Sequence, residues 1–410
     1  VTRPVESAGP APAAAGARPL FAAALSEHPD AAVATGEVVG QVLESLGAGA
    51  GPPDLALVFV TPPHVEALGE MASTIAATLE PRALVGCTAV SVVGGEREVE
   101  RSPAVSLWAG HTGPVSPFHL QVVPSPDGPT FVGWPEAIPD DARALLLLAD
   151  PFSFPIDALL ERLASDRPGL PVVGGLASAA RAPGGNRLVL GAKGASGPQS
   201  GVQLFTEGAV GAFLGDGVEV STVVSQGCRP VGSPFVVTRA EGNVVYELAG
   251  RSALDRLQEV AATLSDDDRR LMSELVQLGR VIDERKADFD RGDFLVRTVV
   301  GADPEAGALA VGDVVEVGAT TQFQVRDARS ADEDLRQLVG DRTADAALLF
   351  TCNGRGRHLF GTPDHDAGVV SAGLGGAPLA GMFCAGELGP IGGHNFVHGF
   401  TASVVLLRSP

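Results

Sequence analysis

Tyrosine occurs once, tryptophan twice and methionine three times in 410 residues, and aromatics make up only 5% of the chain. Cores must therefore be assembled mainly from Val, Leu, Ala and Ile. Basic residues are also few, at 29 against 49 acidic ones, for a net charge of −20. No Lys/Arg run supplies the footprint a nucleic-acid binder needs, so that class is excluded. Cysteine occurs four times, as Cys87, Cys228, Cys352 and Cys384, and never as C-x-x-C. That count excludes a dense disulfide scaffold and favours free thiols in a reducing compartment. The opening stretch is broken by prolines and lacks a signal peptide's apolar segment, and "ALLLLA" (144–149) is too short to span a bilayer. A cytoplasmic protein without membrane association is expected. The abundance of Ala beside little Lys points to a high-GC bacterial genome. No Walker spacing, G-x-G-x-x-G or G-x-S-x-G elbow occurs; the glycine-rich stretches 194–201 and 389–393 read as bare turns, and no cofactor is expected.

What is present is 45% hydrophobic, enough for two or three domains with proper cores. The order strand, helix, strand recurs. "LALVFV", "ALLLLA" and "AALLF" are nearly continuous apolar runs, as expected of strands buried on both faces. Each is followed by a helical segment and then by a return strand: "RALVGCTAV", "LPVVGGLAS" and "APLAGMFCAG". All three returns reach Gly and then small residues, which lets backbone approach backbone. The first two copies suggest an internal repeat of about 90 residues. The fold class is α/β, with mixed sheets, repeated β-α-β units, antiparallel extensions and helices packed on the sheets. The expected organisation is a disordered or extended tail over 1–28, an N-terminal domain over 29–226 and a C-terminal domain over 227–410. The strand "GAPLAG" suits either a homodimer contact or internal packing.

Four segments carry most of the distinctive chemistry: "QGCRPVGSPFVVTRAEGNVVYEL", "TQFQVRDARSADEDL", "LLFTCNGRGRHLFGTPDHDAGVV" and "PLAGMFCAGELGPIGGHNFVHGFTAS". Together they resemble the FIST C domain, and "ALVGCTAVSVVGGEREVE" resembles the matching FIST N domain. The resemblance spans about residues 30–408. It implies a sensory role in signal transduction, with small ligands such as amino acids or their derivatives. In relatives the domain stands beside chemotaxis-receptor or kinase modules, so a separate signalling protein is the partner the resemblance implies.

The residues themselves leave three readings. A metal would draw on Cys352, His358, His365, Cys384, His394 and His398. However, "HNFVH" reads as a strand, where positions i and i+4 lie about 13 Å apart, too far for one ion without a bend. A cysteine enzyme would use Cys352 or Cys384 as nucleophile and His394 or another histidine as base. A ligand pocket uses the same residues more economically. If the strands ending at Cys352 and Cys384 pair in parallel, their ends share one location. Arg355 or Arg357 would then hold an acid group in a two-pronged bond, Glu387 would receive a cationic group, and Asn353 would fix orientation. Cys352 and Cys384 would line the wall, with His394 beside them. His365 opens a helix, where a charged imidazole is disfavoured, so a neutral ring is expected; Asp364 is the expected cap. Arg229 would face the same cleft, and Arg326 and Asp327 would pair with each other or end a strand. The preferred function is a sensor or binding protein for a small polar metabolite. The alternatives are the cysteine enzyme and a structural interaction protein.

Overall fold

The computed structural model describes residues 20–47, 49–126, 128–135, 138–193 and 201–410. Most of the expected tail and the glycine-rich 194–200 stretch lie outside them. Phe21–Ser26 is a strand paired antiparallel to Val105–Gly110, so the first sheet begins inside the segment assigned to the tail.

The recurring order has a single topology. In the first unit, strand Leu55–Val60, helix Leu68–Leu79 and parallel strand Ala83–Thr88 are followed by the hairpin Ser91–Gly94/Arg97–Glu100 and by Val105–Gly110, antiparallel to the first strand. The second unit repeats this with Ala144–Ala149, helix Ile156–Asp166, Val172–Leu176, the antiparallel pair Leu188–Ala192/Gly201–Phe205, and Ala209–Leu214. The third repeats it again with Ala346–Cys352, helix His365–Gly373, Leu379–Cys384, the hairpin Glu387–Ile391/His394–His398, and Thr401–Arg408. The repeat therefore has three copies, one more than the sequence spacing suggested.

No unit completes its own sheet. The first unit's hairpin joins the third unit's return strand, the second unit's pair joins the first, and the third unit's hairpin joins the second. The exchange is cyclic and makes a pseudo-threefold arrangement of three sheets. Alternation along the strands explains why both faces had to be apolar. Leu57, Phe59, Leu146, Leu148 and Phe350 point into one core shared by all three sheets, whereas Ala56, Val58, Leu147 and Leu349 meet the outer helices.

The return-strand glycines occupy equivalent register positions, with Val58 opposite Gly86, Leu147 opposite Gly174 and Leu349 opposite Gly381. A Cβ would lie 2.2, 2.0 and 1.8 Å from the carbonyl oxygens of Val58, Leu147 and Leu349. The helices pack onto strands whose backbones approach this closely only without a side chain.

Between strand Cys228–Pro230 and helix Ala328–Gly340 sits an inserted antiparallel barrel. Its ring runs Thr320–Arg326, Phe235–Glu241, Val244–Leu248, Ala308–Val311, Phe294–Asp303 and Val276–Val281, then back to the first strand. It has its own core around Val237, Val245, Leu278 and Phe323. Ser265 caps the helix Asp266–Glu274 by accepting from the Asp268 N–H at 3.1 Å, as its position predicts. The boundary expected at 226/227 falls between strand Glu219–Gln226, which belongs to the third sheet, and Cys228–Pro230, which begins the barrel sheet. Among the described residues, no helix is long and apolar enough to cross a membrane.

Candidate functional site

Strands Ala346–Cys352 and Leu379–Cys384 are parallel, with Cys352 opposite Cys384. Around their ends the polar side chains separate into a closed network and an open cleft.

Arg355 anchors the closed network and is fully buried. Its Nε and Nη2 donate to Asp366 Oδ2 and Oδ1 at 2.7 and 2.8 Å. The two-pronged bond expected for a ligand's acid group is thus made to the protein's own carboxylate, and Arg355 is not a ligand residue. Thr351 Oγ1 donates to the same Asp366 at 2.7 Å. Burial pushes the Asp366 carboxyl up, but Arg355 outweighs it and holds the group well below the usual carboxylate range. His365 Nδ1 lies 3.0 Å from Asp366 Oδ1 and its Nε2 lies 2.8 Å from Asp332 Oδ1, and the ring stacks on Phe360. Asp364 does not cap the helix it precedes; it has φ +61° and accepts the Glu98 N–H at 2.7 Å. Glu98 closes that helix start instead, taking the Ala367 N–H at 3.0 Å.

Glu387 is fully buried as well. Its Oε2 accepts from Thr401 Oγ1 at 2.8 Å, while Oε1 is a buried oxygen without a partner. Burial pushes its carboxyl up to about 8. It cannot receive a ligand's cation from inside the core. Cys384 is buried in the central core, with its thiol pushed well up by burial, so it does not line the open cleft. Cys352 is partly accessible as a residue, but burial of its thiol and the neighbouring Glu387 push it up to about 12. His394 is exposed on the hairpin strand that edges the second sheet, and His398, in the same strand, donates from Nε2 to Gly389 O at 2.9 Å. Among the described residues no histidine pairs with a cysteine, and no cluster of His, Cys, Asp and Glu suits a metal ion. The first observation counts against the nucleophile–base pairing of Cys352 or Cys384 with His394.

Arg229 does not face the cleft either. It pairs with Asp327 at 2.7 Å and with Asp268. Asp327 is therefore not the partner of Arg326; it caps helix Ala328–Gly340 while Arg326 sits over the Phe400 ring and donates to Gly354 O.

The open cleft has a volume of about 860 Å³. It lies beyond the carboxyl ends of the parallel strands of all three units, the place where α/β sheets hold ligands. Val90 and Ser91 follow the first unit's return strand, Ser178 and Arg181 follow the second's, and Asn353, Arg357 and His358 follow the third unit's first strand. Ser178 ties the units together, since its Oγ donates to Phe383 O at 2.5 Å and accepts the Val90 N–H at 3.0 Å. Arg101, Arg181, Asn353 and His358 line this space, and among the described residues their side chains have no hydrogen-bond or ion-pair partner. Arg357 lies 3.9 Å from Glu100 and is mostly exposed. Of the residues expected from sequence, Asn353 lines this space, as do Arg357, the second choice beside Arg355, and His358, weighed as a metal ligand. Arg101 and Arg181 were missed. The available signal was a basic residue a few positions beyond a strand end, in "EVERSP" and "ASAARAP", in a chain poor in basic residues.

Two mycobacterial proteins are similar over nearly their whole length. The chain is 44% identical over 389 residues to the uncharacterized protein Rv0628c of Mycobacterium tuberculosis, covering 93% of this chain and 98% of the relative. It is 43% identical over 385 residues to the uncharacterized protein Mb0898c of Mycobacterium bovis, covering 92% and 96%. Residues 54–251 match the FIST N domain and residues 253–390 the FIST C domain, so the chain belongs to the FIST family, whose domains are recognised as sensory.

Proposed function

We propose that the protein is a small-ligand sensor whose ligand, a polar metabolite with an acid group, sits in the strand-end cleft. One observation carries this reading. Side chains from all three units converge on one space, and Arg101, Arg181, Asn353 and His358 have no partner within the described protein. Arginine binds carboxylate or phosphate through paired N–H donors, and a cation cluster in an acidic chain concentrates anions locally. An amino-acid derivative fits if its ammonium meets Glu100, the one carboxylate among the described lining residues, whose Oε1 already accepts the Arg357 N–H at 3.0 Å.

The test is native mass spectrometry for co-purified metabolites, joined to thermal-shift screening of a broad metabolite library. A true ligand at 100 times its Kd stabilises the native state by about 2.7 kcal/mol. That gain is expected to vanish in Arg181→Ala, whose side chain is exposed and whose loss leaves the core intact. A library without a single stabilising compound, and no co-purified ligand, would overturn the reading.

A further inference from the structure

We infer that the cleft is built for a polyanion: a small compound of net charge −2 or beyond, of the polycarboxylate or polyphosphate class. This rests on the cleft being the ligand site. Among the described residues three guanidinium groups line it, Arg101 from the first unit, Arg181 from the second and Arg357 from the third, against the single carboxylate of Glu100. Glu100 stands beside Arg357, whereas Arg101 and Arg181 have no carboxylate partner among the described residues. Two full positive charges therefore remain uncompensated in a chain of net charge −20. A zwitterionic amino acid brings no net negative charge to offset them, and a monoanion leaves one positive charge uncompensated.

Local geometry supports the same conclusion. Arg101 holds φ +60°, a left-handed conformation that residues other than Gly, Asn or Asp adopt only at a cost. Such positions cluster where a site needs a side chain held in one direction. The remaining polar lining, Ser91, Ser102, Asn353 and His358, offers hydroxyl, amide and imidazole donors suited to further oxygen atoms. The volume, about 860 Å³, accommodates a compound well above the size of one acid group. Phosphate and carboxylate share the chemistry that paired guanidinium donors recognise, so the two sources are separated by experiment.

The experiment is isothermal titration calorimetry on the full chain at low salt with four probes: citrate, inorganic pyrophosphate, glutamate and acetate. Wild type is compared with Arg101→Ala, Arg181→Ala and Arg162→Ala, the last an exposed arginine on the outer helix Ile156–Asp166. Circular dichroism melts verify that each variant keeps the wild-type fold. Citrate or pyrophosphate is expected to bind at least tenfold tighter than glutamate and acetate. Arg101→Ala and Arg181→Ala should each weaken that binding roughly ten- to a hundredfold, the effect of losing a charge-assisted hydrogen bond, with Arg162→Ala unchanged. Whether citrate or pyrophosphate binds identifies the acid class. Glutamate binding as tightly as either polyanion, and weakened by Arg181→Ala, overturns the polyanion inference while leaving the cleft as the ligand site. Equal binding by wild type and both cleft variants overturns it too, as does the absence of binding by all four probes, in which case the metabolite library decides the broader reading.

Discussion

Replacing Asp366 with Asn tests whether the Arg355 network is a structural clamp. The substitution keeps the shape of the side chain and removes its charge. Arg355 is fully buried, and its remaining polar contact is Nη1 at 3.4 Å from Phe400 O, so the guanidinium is left without a counter-charge. Breaking one partner of a buried pair costs about 3–5 kcal/mol, because the other charge stays behind. The cyclic strand exchange predicts that the three units unfold together. With about 2.1 cal/mol/K of unfolding entropy per residue, 410 residues give about 0.9 kcal/mol/K, so Tm should fall by roughly 3–6 °C. The assay is equilibrium urea unfolding followed by the fluorescence of Trp108, which is buried in the shared core against Phe21 at 5.5 Å between ring centroids. The midpoint should drop with an unchanged slope. Arg355→Met combined with Asp366→Leu should recover part of the loss, since replacing both charges removes the orphan. An Asp366→Asn protein within about 1 kcal/mol of wild type, the ordinary cost of a substitution, would refute the clamp.

Three further outcomes are expected. Glu98 and Glu387 are pushed up to about 8, chiefly by burial, so the folded state holds protons that the unfolded chain gives up. Their contribution is complete below about 4.5 and is lost as pH rises through about 8; melts across that window should show falling stability, and Glu387→Gln should flatten the trend. Asp366 acts in the opposite sense: it stabilises above the usual carboxylate range, and that contribution is lost as pH falls. Gly381→Ala places a Cβ 1.8 Å from Leu349 O and should cost more than the roughly 4–5 kcal/mol that marks an exceptional substitution; Gly86→Ala and Gly174→Ala should behave alike, with soluble yield as the measure. All four thiols are pushed up by burial, so a disulfide-exchange reagent at neutral pH should label them only after urea unfolding; rapid native labelling of Cys352 would revive the cysteine-enzyme reading.

Much of the architecture was written in the chain itself. Apolar runs such as "LALVFV" and "ALLLLA" required strands buried on both faces, and the glycines of the three return strands marked where backbone meets backbone. A strand–helix–strand order implies parallel pairing, and that pairing sets Cys352 beside Cys384. The partners, however, were decided by tertiary structure. Periodicity states that a face is buried but not what covers it, so the exchange of hairpins among units left no local signature. Arg355 and Arg357 stand two positions apart, yet one points inward to Asp366 and the other lines the cleft, because Gly356 between them, at φ +58°, breaks the chain's course and Arg357 opens a new helical turn. Glu387 looked like a receiver for a cation, but the fold seals it beneath Thr401. A guanidinium or carboxylate has the same chemistry in either place; only the long-range packing of strands from all three units determines whether its partner is the protein or a ligand.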